Sequence, residues 1–232
     1  MIPRMRISCV RAVVLIPILL GIAGAAAAQS TELPARADAT LFEDAEGALA
    51  SGAGQYTFAG RTGQDSGSLR RSLFVFDLSS LPADATITRA EVRLTTQYNG
   101  PEAAGVEFSV HQVTADWGEG SSDSGSPGGQ GAPSTSGDAT WLHRSYDDTR
   151  WSNPGGDYSD ERLATATFET TGSLVFTGNG LTELVAAWHT GEADNYGILL
   201  RNDESVQRSA ILIASRASSN SSARPVLYVE YE

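Results

Sequence analysis

The stretch Thr88-Arg89-Ala90-Glu91-Val92-Arg93-Leu94-Thr95-Thr96-Gln97-Tyr98 decides the fold. Ala90, Val92, Leu94, Thr96 and Tyr98 fall on one side; Arg89, Glu91, Arg93, Thr95 and Gln97 fall on the other. Side chains of a strand alternate between its faces, so this pattern predicts a strand with one face buried and one in water. Asn99-Gly100-Pro101 ends it.

Similar segments lie on either side. Downstream, Val106, Phe108 and Val110 alternate with Glu107, Ser109 and His111, which puts His111 on the outward face. Upstream, Leu73-Phe74-Val75-Phe76 is a continuous apolar run, as in a strand covered on both faces. Short strands are predicted at 39–42 and 56–59. Further strands are predicted over 163–168 and 173–176, as a hairpin, and over 196–201, 210–215 and 226–231. One helix is predicted where Leu181, Leu184, Val185 and Trp188 recur at helical spacing, with Asn179 as its cap and Gly191 as its stop. Many short strands separated by turns, with a single short helix, predict an all-β fold: an antiparallel, jelly-roll-like β-sandwich. Helices do not alternate with strands, which argues against a parallel α/β sheet.

The N-terminus reads as an export signal over residues 1–28. Arg4, Arg6 and Arg11 precede an apolar run, and Ala26-Ala27-Ala28 offers small residues for cleavage. The run is too short to span a membrane, and no spanning segment follows. A secreted, extracellular protein is expected, with a short linker at 29–38 and a single domain over 39–232. The only cysteine, Cys9, lies within the signal, so the exported chain has neither disulfide nor thiolate chemistry. The whole chain carries a formal charge of −12. Removing the three arginines of the signal leaves 13 basic against 28 acidic residues, or −15. That charge repels nucleic acid and anionic lipid.

Between Asp116 and Asp160 the strand pattern lapses into a long loop rich in Trp, Gly and Asp. It holds Trp117, Trp141 and Trp151, three of the four tryptophans, and eight acids against Arg144 and Arg150. Disordered segments are poor in aromatics, so the loop is expected to be functional. Its middle, Ser121 to Gly137, has no aromatic residue and reads as exposed filler.

Several motifs resemble the DNRLRE domains, which are related to the disaggregatase-type domains and to carbohydrate-binding module family 96. They are Phe76-Asp77-Leu78-Ser79-Ser80-Leu81-Pro82, Ile87 to Leu94, Trp117-Gly118-Glu119-Gly120, Trp188 with Asn195-Tyr196-Gly197, Ser215-Arg216, and Arg224 to Val229. The hexapeptide that names the family is absent; Ser215-Arg216-Ala217 is its nearest counterpart. The resemblance implies a secreted sandwich that binds polysaccharide.

The site itself is read from residue chemistry. A sugar ring stacks its C–H face on an aromatic side chain, and its hydroxyls need acids, amides or arginines. Trp117, Trp141, Trp151 and Tyr158 are the candidate platform; Glu119, His143, Arg144, Arg150 and Asp157 are the candidate polar partners. The alternative is that the tryptophans fasten the loop to the domain. Asp116, Glu119 and Asp123 are the candidate ligands for calcium, the one cofactor considered, though solvated loop acids have the same composition. No catalytic residues are assigned: nucleophile-elbow and zinc-ligand motifs are absent. The expected function is therefore non-catalytic binding of a polysaccharide or cell-surface glycan. A structural or adhesive extracellular domain is the alternative. A hydrolase or lyase, with Glu119, Asp138 and His143 converging in a cleft, is a second.

Overall fold

A computed structural model of the chain describes residues 27–232, so the expected signal lies outside the described part except for its last two residues. Fourteen strands and one α-helix follow in order: β1 Gln29–Phe42, β2 Leu49–Ala50, β3 Tyr56–Arg61, β4 Leu69–Phe76, β5 Ile87–Asn99, β6 Val106–Gln112, β7 Ala132–Pro133, β8 His143–Ser145, β9 Thr149–Arg150, β10 Ala164–Phe168, β11 Gly172–Thr177, α1 Asn179–Thr190, β12 Ile198–Asn202, β13 Ile211–Ala214 and β14 Val226–Tyr231. The pairings are antiparallel, and the all-β expectation holds. Where two packed sheets are predicted, however, the hydrogen bonding runs on around the molecule. β1, β14, β5, β11, β10, β6, β12 and β4 follow one another, and β4 pairs back with β1, closing a barrel of eight strands. β3 and β13 form a second link between β4 and β5.

β1 makes closure possible. Its first half pairs with β14, from Gln29↔Tyr231 to Pro34↔Val226. Its second half pairs with β4, from Ala35↔Phe76 to Phe42↔Arg70, with a shift of register between Ala35 and Ala37. The change of partner falls at Pro34, which has no N–H to give a ladder. Residues 29–38, predicted as a linker, are thus most of a 14-residue strand. Their mixed polarity hides this, because the first residues lie along an exposed edge of the barrel.

The barrel interior takes the inward residues of every strand, among them Val92, Leu94, Phe74, Phe76, Phe108, Phe168, Phe176, Ile198 and Leu200. The helix adds Leu181, Leu184, Val185 and Trp188, as its spacing predicts. Its N-cap is Gly178 rather than Asn179, which is the first helical residue. Gly191 ends it in the left-handed conformation, φ 76°.

A second apolar cluster lies on the outside of the barrel. Ala39, Leu41, Leu73 and Leu199 point outward from β1, β4 and β12 and pack against Val113, Ala139, Trp141 and Trp151. The long loop therefore forms an outer layer over these strands. This is why the 73–76 run is apolar on both faces: Phe74 and Phe76 fill the barrel, and Leu73 meets the loop.

Candidate functional site

The loop residues expected to bind sugar are mostly committed to holding the loop. Trp141 and Trp151 are buried, 8% and 6% exposed. The indole N–H of Trp151 donates to the Thr140 carbonyl (2.9 Å), and that of half-buried Trp117 donates to the Tyr196 carbonyl (2.8 Å). Trp141 is covered by the Arg71 guanidinium, 4.8 Å from its ring centroid. Arg71 also donates to the Gly155 carbonyl (2.8 Å) and pairs with Glu204 (2.7 Å). A sugar has no access to faces occupied in this way, so Trp141 and Trp151 are anchors rather than a platform.

The polar candidates are likewise engaged. Glu119 pairs with Arg216 and accepts from the Asp38 amide (2.9 Å). His143 is buried, 7% exposed, beside Thr140 Oγ1 (3.2 Å) and edge-on to Tyr146. Arg144 pairs with Asp116. Asp157 accepts from the amides of Ser152 (2.8 Å) and Asn153 (3.0 Å). Asp138 is fully buried and accepts from the amides of Ser121 (2.8 Å) and Thr135 (2.5 Å), so it organises a turn. Glu119, Asp138 and His143 therefore do not line a common catalytic cleft. Arg150 is exposed. Tyr158 is half-buried and lines a polar cleft described below.

The calcium candidates do not fit a hard cation, which needs six or more oxygens converging. Asp116 and Glu119 face arginines, and Asp123 accepts from the Gly125 amide (2.8 Å). No three potential metal ligands cluster among the described residues.

Beside Glu119, Asp38 is 1% exposed, and one of its carboxylate oxygens has no partner. Burial pushes its pKa from 3.8 up to about 7. The Arg216 amide opposes the rise, and the neighbouring Glu119 charge adds to it.

A different, mostly apolar groove carries the one strongly exposed aromatic ring among the described residues. A groove of about 310 Å³ is lined by Phe58, Arg61, Tyr98, Pro101, Pro127, Arg208 and backbone at Gly63, Gly100 and Gly129. Tyr98 is 68% exposed. Alternation assigns it to the buried face, but a bulge intervenes: Thr96 pairs with Ile213 and Tyr98 with Leu212. The intervening Gln97 is the extra residue, which turns the strand so that Tyr98 emerges. Gly100 seats the following turn tightly, since a Cβ there would lie 1.9 Å from the Arg208 carbonyl. Arg208 itself has φ 63°, an uncommon conformation for a residue with a side chain. Among the described residues neither Arg61 nor Arg208 has a carboxylate within ion-pair distance. Pro127 and Gly129, from the supposed filler, form one wall.

Neither a comparison with the sequence models of known protein families nor one with curated proteins finds a match. Among the described residues no helix is long and apolar enough to cross a membrane.

Proposed function

We propose that the protein is a secreted carbohydrate-binding module that holds acidic polysaccharide in the Tyr98 groove, a site that binds without chemistry of its own. The observation that carries this reading is the exposed Tyr98 ring in one groove with Arg61 and Arg208, which have no carboxylate partner among the described residues. The ring offers a flat apolar face to the C–H side of a sugar. Exposed Arg208 offers a forked donor to carboxylates or sulfates; Arg61 already donates one N–H to the Glu204 carbonyl (3.3 Å) and contributes positive charge at the groove edge. On a chain of net charge −12, a groove lined by arginine and no acid is a local exception. The resemblance to DNRLRE domains supports the same reading and rests on its quoted residues alone; a jelly-roll-like origin of the barrel and export from the cell belong to the same proposal.

The test is retention of the chain on acidic and neutral polysaccharides in affinity electrophoresis. Tyr98→Ala is expected to weaken retention on the acidic polymer about tenfold, equivalent to about 1.4 kcal/mol. Equal mobility of Tyr98→Ala and wild type on every polymer the wild type binds would overturn the reading. The burial of Trp141 and Trp151 favours a second reading, a structural or adhesive domain contacting matrix or protein. That reading predicts capture of a protein partner with no retention on polysaccharide.

A further inference from the structure

A polar cleft of about 460 Å³ lies on the outer face of β6 and β12 and shares no lining residue with the Tyr98 groove. Ser109 and His111 sit two residues apart on β6, so both face this cleft. Ser109 Oγ and His111 Nε2 are 2.9 Å apart. The other ring nitrogen, Nδ1, lies 2.9 Å from the Ser159 carbonyl oxygen. A carbonyl can only accept, so Nδ1 carries the proton and donates it. Burial, reinforced by the charges of Arg201 and Arg162, keeps the imidazole pKa below its ordinary value, and the ring is neutral. Nε2 is then a free lone pair that accepts from the Ser109 hydroxyl. Nucleophile, base and orienting group are all present in the order that activates a serine.

The surroundings suit acyl chemistry. Arg201 stands directly opposite Ser109 across the β6–β12 pair, and Arg162 lines the same cleft. Arg201 is paired with Glu204 and Arg162 with Glu107, so each would have to turn from its carboxylate to meet the developing negative charge on a carbonyl oxygen. Tyr158 meets the His111 ring edge-on at 5.4 Å and accepts from Arg201 (2.5 Å), walling one side. Asp160, and the second carboxylate oxygen of Asp203, are placed to accept from a polyhydroxylated alcohol portion.

We propose that Ser109 and His111 form a nucleophile–base pair that hydrolyses small acyl esters of polyhydroxy alcohols in this cleft. Ser109 Oγ bonds to the ester carbonyl carbon while its proton passes to His111 Nε2. The bond from that carbon to the alcohol oxygen breaks, and the alcohol leaves with the proton. Water then attacks the acyl-serine with the same base, releasing a carboxylic acid and restoring Ser109.

The full chain would be treated with a fluorophosphonate probe and mapped by mass spectrometry, and p-nitrophenyl acetate turnover would be followed in parallel. One adduct on Ser109 is expected. Turnover should fall at least about 100-fold in Ser109→Ala and in His111→Gln, the range for loss of a general base. Circular dichroism checks that each variant is folded. Ser109→Cys in a Cys9→Ser background adds a separate readout, because Cys9 is the sole native cysteine. The thiol of that variant should alkylate with iodoacetamide faster at pH 7 than free cysteine, owing to His111. A bare structural Ser–His hydrogen bond predicts no adduct, Ser109→Ala turnover equal to wild type and a sluggish thiol in Ser109→Cys; any of these overturns the proposal. Polysaccharide retention is scored independently, so either reading can fail without the other.

Discussion

Asp38 shows how one side chain sets a dependence on pH. Its carboxyl titrates near 7 in the folded chain and near 3.8 when exposed. Between those values the folded state holds the proton more tightly than the unfolded state does. Asp38 therefore makes stability fall as pH rises from about 4 to 7, by roughly 4 kcal/mol at most. Below pH 4 the contribution is constant, since both states are protonated. Urea unfolding at pH 4.5 and 7.5 checks this: the drop between the two should be smaller in Asp38→Asn than in wild type. Equal drops would show that burial of Asp38 does not govern the slope. Asp38 is invisible in the sequence as a special residue, because its environment comes from Glu119 and Arg216, 81 and 178 positions away.

At the scale of elements, the outer layer is the main departure from a plain barrel. The loop from Asp116 to Asp160 reaches the barrel chiefly through Trp141 and Trp151, which seat on Ala39, Leu41, Leu73 and Leu199. Trp141→Ala should cost about 3–5 kcal/mol, the usual range for emptying a buried aromatic site. Chemical denaturation measures it, and a loss below about 1 kcal/mol would mean that the loop is not anchored there. The strands themselves were legible: β5 and β6 alternate in residue polarity, and β4 reads as covered on both faces, as its burial shows. The site was less so. Period-two reasoning assumes an unbroken register, and one extra residue at Gln97 reverses the side on which Tyr98 falls. The tryptophans misled for a related reason. An indole serves equally well as a platform or as an anchor, and composition does not say which face is occupied. Ser109 and His111 do point outward from β6 but are buried, 5% and 6% exposed, rather than in water; what the sequence lacked was Ser159, which approaches from 48 residues away to orient the imidazole.

For the molecule as a whole, closure of the barrel depends on pairings that no local pattern specifies, since β1 must meet both β14 and β4. An antiparallel sandwich and an antiparallel barrel share the same strand alternation, and the difference lies in which strand is next to which. The same junction has a mechanical consequence. Gln29 stands opposite Tyr231, so the first strand enters the barrel beside the point where the last one leaves. A load applied across those two points pulls the β1–β14 ladder apart one hydrogen bond at a time, as a zip opens, and does not shear all its bonds together. Under single-molecule stretching the first event should be a low-force peeling of residues 29–34, releasing roughly 3.5 Å per residue, before the rest gives way. A single abrupt rupture of the intact barrel would contradict it. Under such a load the domain yields early at its seam while Tyr98, on the far end of β5 from that seam, keeps its surroundings.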